Sequence, residues 1–141
     1  MKKITLLSIG LLIILSCDKD ESNSTCGFND TSFIGKWKAT KIVINGRDST
    51  STLFALLPCY KTLITEFKNT KIVSQSNEGK DNMGMACDIE ADKNWKLYTA
   101  NSKNYLIVYD ASQSDTSLIE SITCSNIVST QNQVTLTLTK Q

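Results

Sequence analysis

The chain has 141 residues and a mass of 15.6 kDa, the size of one ordinary domain, which argues for one core and against a catalytic domain beside a separate binding domain. Its 40% hydrophobic and 21% charged residues lie near the globular average and exclude a disordered, collagen-like or multi-span membrane chain. A formal charge of +1 without a basic block speaks against nucleic acid as a partner, and the absence of histidine removes the commonest general base and zinc ligand.

Lys2 and Lys3 precede a mostly apolar run, 4–15, that ends at Ser16-Cys17. This is the layout of a signal peptide. As a helix, the run would span about 18 Å, short of a hydrocarbon core of about 30 Å. The ending Ile14-Leu15-Ser16-Cys17 resembles the bacterial lipobox, in which a small residue precedes a cysteine that is acylated and becomes the first mature residue. The resemblance implies a signal peptide over 1–16, lipidation at Cys17 and a protein held on a membrane by its acyl chains. The alternatives are an ordinary secretory signal with an incidental cysteine, or an uncleaved anchor. Residues 18–25 are polar throughout and read as a solvated tether, so 17–32 is the expected lipidated leader of a domain over 33–141. The acidic cluster after Cys17 resembles the export signals of Bacteroidetes surface lipoproteins, which implies the bacterial outer membrane, at the cell surface or the periplasmic face; Asp18 directly after the cysteine also resembles the inner-membrane retention signal of enterobacteria, which is the alternative. Cleavage removes Lys2 and Lys3, leaving 13 basic and 14 acidic side chains and a mature charge of −1.

Four further cysteines, Cys26, Cys59, Cys87 and Cys124, are an even number in an exported chain and fit two disulfides. Three pairings are possible; the preferred one joins Cys59 to Cys87, clipping a central excursion, and Cys26 to Cys124, fastening the start of the domain to a late strand. Zinc is the competing reading, but spacings of 33, 28 and 37 residues, with no C-x-x-C and no histidine, are unlike zinc knuckles.

Along the mature chain, 36–45 reads as a strand ending in the turn signal Asn45-Gly46. The segment 49–57 reads as one short helix, with Ser and Thr to cap it and Pro58 to stop it. Residues 60–68 and 71–76 form a predicted hairpin, 77–92 a long loop, and 94–100 with 103–110 a second hairpin around Asn101-Ser102. Strands over 117–124 and 132–139 follow, with a weaker one at 125–131 between them. The final strand alternates strictly, with Val134, Leu136 and Leu138 on one face and threonines on the other. Some eight short strands with no repeated helices predict an all-β fold, an antiparallel up-and-down barrel with one short helix. A β-sandwich is the alternative, since Cys87, Trp95 and Cys124 follow the immunoglobulin Cys-Trp-Cys order at a shorter spacing.

Gly35-Lys36-Trp37 resembles the Gly-x-Trp opening of the lipocalin and calycin barrels, where the indole packs across the closed base. Signal, lipobox, tether, Gly-x-Trp strand, central cysteines and a Thr-rich last strand together resemble the lipocalin-like lipoproteins of Bacteroidetes. Lipocalins proper carry an arginine near the last strand that covers the tryptophan; here Lys140 is the nearby cation. The resemblance implies a non-catalytic, monomeric barrel that binds a small apolar or amphiphilic ligand; the alternative is an envelope protein–protein interaction module.

No chemistry-bearing motif competes. Asp88, Glu90 and Asp92 alternate like calcium ligands, but Lys93 and Thr99 stand where an EF-hand loop needs glycine and glutamate. Gly79-Lys80 lacks the first glycine and the Ser or Thr of a P-loop, and neither G-x-S-x-G nor S-x-x-K occurs. Glu66 and Glu120 are the strand carboxylates to weigh for glycoside chemistry, and surface positions explain both. No catalytic residue, metal site or cofactor is therefore expected. The candidate ligand-binding residues are Trp37, Phe67, Trp95, Tyr105 and Tyr109, with core packing as the competing reading.

Overall fold

The computed structural model describes residues 26–76, 84 and 92–141. The signal peptide, Cys17, Cys87 and nearly all of the predicted 77–92 loop lie outside the described residues. The elements in chain order are α1 (Asp30–Phe33), β1 (Gly35–Ile44), β2 (Arg47–Asp48), α2 (Thr50–Leu56), α3 (Pro58–Thr62), β3 (Ile64–Phe67), β4 (Lys71–Gln75), β5 (Lys93–Ala100), β6 (Lys103–Tyr109), β7 (Ser114–Ile122), β8 (Asn126–Gln131) and β9 (Val134–Lys140). The long strands pair antiparallel with their chain neighbours, and β1 pairs with β9 to close the sheet into an eight-stranded up-and-down barrel. β2 is a two-residue appendage of β1. Closure gives every long strand a neighbour on both sides, although β4 and β5 meet at two residue pairs only, Lys71 with Asn94 and Ile72 with Lys93.

The local chemistry explains the hairpins. Asn101-Ser102 and Asn132-Gln133 take positive φ at both central residues, as a two-residue type I′ turn requires, and Asn45-Gly46 does the same between β1 and β2. The expected helix is present as α2, and two further short helices, α1 and α3, accompany it. α1 begins where the Asn29 side chain accepts from the Ser32 N–H. Pro58 ends one helix as expected but also starts another, because its fixed φ suits the first helical position; the strand expected from residue 60 therefore begins only at Ile64. Likewise Cys124 lies in the turn after β7 rather than in the strand.

Two bulges set which side chains point inward. Trp37 and Ala39 face the interior, and strict alternation would put Lys41 there next; an extra residue, Thr40, shifts the register so that Ile42 and Ile44 enter instead. In β7 the extra residue is Glu120, which keeps Ser121 out and turns Ile122 in beside Ile127. Thr40 fastens its bulge by hydrogen bonding to the Thr139 hydroxyl at 2.9 Å.

The core is densest at the base of the barrel, where the chain enters. Phe33, Phe67 and Trp95 form a cluster with ring centroids 5.2–5.9 Å apart, and Phe28 lies edge-on to Phe33 at 6.1 Å. Trp37 is fully buried and its indole N–H donates to the Phe33 carbonyl at 2.6 Å; the Trp95 N–H donates to the Lys68 carbonyl at 2.7 Å. Lys140 Nζ sits 5.3 Å from the Trp37 ring centroid, so a lysine covers the tryptophan. The Cys26–Cys124 disulfide ties the start of the domain to the β7–β8 turn, joining residues 98 apart in sequence.

Candidate functional site

The barrel opens at the end opposite the aromatic base, and there the connection between β1 and β3 folds back over it. Asp48 and Thr50 dock this connection. Thr50 Oγ1 accepts from the Ile42 N–H at 2.9 Å and donates to Asp48 Oδ1 at 2.6 Å, while the Thr50 N–H donates to the same oxygen at 3.0 Å. These bonds from Thr50 hold the Asp48 carboxyl below its ordinary pKa. β1 pairs with β3 only up to Lys38 and with β2 only from Val43, so the Ile42 N–H lies in a gap of the ladder that Thr50 fills. α3 is fastened in turn: the Ser76 hydroxyl donates to the Cys59 carbonyl at 3.0 Å and lies 2.8 Å from the Thr62 hydroxyl. Cys59 is disulfide-bonded. Its expected partner, Cys87, lies outside the described residues.

Beneath α2 and α3 lies a cavity of about 340 Å³. Ala39, Ile42 and Ile44 of β1 and Val134, Leu136 and Leu138 of β9 form one wall; Leu53, Leu57, Tyr60, Leu63 and Thr65 complete it. Among the described residues no charged side chain lines it, and the Thr65 hydroxyl is engaged with Ser74 at 3.2 Å. Such a surface can hold an apolar molecule by excluding water.

No family model matches the chain, and no curated protein matches it. A solved structure similar to it is that of an uncharacterized protein from Bacteroides eggerthii DSM 20697, with a TM-score of 0.48 and 9% sequence identity, covering 77% of this chain and 99% of that one.

The five residues singled out from the sequence are not brought together. Trp37, Phe67 and Trp95 are buried in the base. Tyr105 and Tyr109 lie on the face of β6 opposite the buried Leu106, outside the barrel, with Tyr105 beside Tyr98 and Tyr109 beneath Lys96. Glu66 faces outward too, 3.8 Å from Lys68. The cavity is instead aliphatic. Its β9 wall is the apolar face that strict alternation predicts, and Leu53 and Leu57 belong to the predicted helix. Its β1 wall depends on the Thr40 bulge, for which the one sequence signal is the break in parity from Trp37 and Ala39 to Ile42 and Ile44.

Proposed function

We propose that this protein is a lipid-anchored lipoprotein of the bacterial outer membrane whose lipocalin-like barrel binds a small apolar or amphiphilic ligand, as a monomer and without catalysis. The observation that carries the reading is the cavity of about 340 Å³ at the open end of the barrel, apolar in its described lining. Support for the lipocalin-like assignment comes from the Gly-x-Trp strand, with its tryptophan buried at the base under the Lys140 ammonium. The anchor rests on the Lys2-Lys3 start, the apolar run and Ser16-Cys17. Cys26, nine residues beyond Cys17, is fixed at the base, so an anchored barrel would carry its mouth at the end away from the tether. The half-exposed Leu56, Tyr60 and Val134 stand around that mouth, where an entering ligand would meet them before the interior; this favours ligand carriage over a protein-interaction module.

The test uses the chain from residue 17 onward with Cys17→Ser, which contains every described residue. N-phenyl-1-naphthylamine, a neutral apolar fluorophore, is expected to brighten on binding it. Ala39→Phe, which fills the cavity from the β1 wall, is expected to weaken binding by about tenfold or more with an unchanged circular dichroism spectrum. Equal binding by the two proteins would contradict the reading. Acyl mass on Cys17 in detergent-extracted protein tests the anchor separately.

A further inference from the structure

Val134 and Leu136 wall two cavities. On one side is the apolar chamber; on the other is a cavity of about 370 Å³ that adds Ser117, Ser129, Gln131 and Asn132 to the same two residues. The strand register places these polar groups on the interior face: Ser117 shares its face of β7 with the buried Ile119, and Ser129 and Gln131 share theirs of β8 with the buried Ile127. Ser117 Oγ donates to Gln131 Oε1 at 3.3 Å, and Gln131 Nε2 points to Asp115 Oδ1 at 3.5 Å. Among the described residues the Ser129 hydroxyl has no hydrogen-bond partner. The interior thus changes from aliphatic to neutral hydrogen-bonding across β9.

We propose that the ligand is an uncharged amphiphile, with its hydrocarbon part in the chamber under α2 and α3 and a hydroxyl- or amide-bearing head against Ser117, Ser129 and Gln131. The proposal rests on the ligand-carrying reading above and narrows it. Among the described residues no charged side chain lines either chamber, so an anionic head would leave water without a counter-charge there, which is strongly unfavourable. The Asp115 carboxylate, which accepts from the lining Gln131, repels an anionic head further. A neutral head, by contrast, finds donors and acceptors of both kinds in serine and amide side chains. Taking ~30 Å³ for a methylene-sized unit, as for a water molecule in the liquid, the apolar chamber has room for a chain on the order of ten carbons.

The test measures displacement of N-phenyl-1-naphthylamine from the Cys17→Ser chain at pH 7.5 by glycerol monodecanoate and by decanoate, which share their hydrocarbon and differ in the head. Glycerol monodecanoate is expected to bind about tenfold tighter or more. The double variant Ser129→Ala, Gln131→Leu is expected to weaken its binding by about tenfold, the loss of two neutral hydrogen bonds. An unchanged circular dichroism spectrum and thermal midpoint of the same variant show that the barrel is intact. Decanoate binding as tightly as the glycerol ester, or a double variant that binds the ester undiminished, would overturn the neutral-head proposal while leaving carriage standing. Failure of all three molecules to bind would overturn both.

Discussion

Gly35 and Lys140 meet at the base of the barrel in a way that only these side chains allow. Gly35 has φ of 129°, a conformation open to glycine and costly for other residues, and a Cβ placed there would lie 3.2 Å from Lys140 Cε. The close approach lets the lysine stem lie over Gly35 while its ammonium reaches the Trp37 ring. Gly35→Ala is therefore expected to destabilise the protein by about 1–3 kcal/mol in urea unfolding, well beyond an ordinary surface substitution. A second residue-scale expectation concerns acid. Asp110 accepts from the Ser112 N–H at 2.7 Å, the Ser112 hydroxyl at 2.7 Å and the Gln113 N–H at 2.9 Å, with Lys93 3.7 Å away. These bonds, those from Ser112 foremost, hold its carboxyl well below the ordinary carboxylate range, as those from Thr50 lower Asp48. A carboxylate with a lowered pKa in the folded state contributes stability that is complete above the unfolded value, about pH 3.9, and is lost as the pH falls below it. The thermal midpoint should therefore hold steady from pH 7 to about 5 with respect to these groups and fall below about pH 4. Asp110→Asn should make that fall shallower; an equal slope would contradict the assignment.

At the scale of elements, the disulfide between Cys26 and Cys124 fixes the segment carrying Phe28 and Phe33 over the aromatic base. Replacing both cysteines by serine is expected to cost about 2–5 kcal/mol and lower Tm by about 10–20 °C, as seen by calorimetry. A change of only a degree or two would mean that α1 and its phenylalanines hold the segment unaided. The elements that were legible in the sequence are those whose signal is local. Alternation in 133–139 and Asn-led turns each act over a few residues. α3 was hidden because a proline after a helix has two readings, and Tyr60 to Thr62 carry no period long enough to choose. The bulges at Thr40 and Glu120 were hidden because strand parity is normally extended unbroken, although the inward step from Ala39 to Ile42 is itself the mark of an inserted residue. The aromatic candidates went to the base because buried indole N–H groups need carbonyl partners, and the entering chain at Phe33 and the β3–β4 turn at Lys68 supply them.

For the whole molecule, closure through β1 and β9 divides the interior along the barrel axis. The base is filled by rings, and the mouth, walled by Ala39, Ile42, Leu136 and Val134, is left with room. Small and branched residues at the mouth and aromatic ones at the base therefore decide where room is left. The pairing of Cys26 with Cys124 follows from this closure, which brings chain start and late turn to one end, and sequence spacing alone could only rank it among three. The central claim, a closed barrel that holds an apolar molecule under α2 and α3, is tested most directly by methyl NMR of the Cys17→Ser chain with N-phenyl-1-naphthylamine. Intermolecular contacts from the fluorophore to the methyls of Ala39, Leu53, Val134 and Leu136 are predicted, with those of Ile72 and Ile127 silent. Contacts confined to the outer face around Tyr98 and Tyr105, with the cavity methyls silent, would contradict the account.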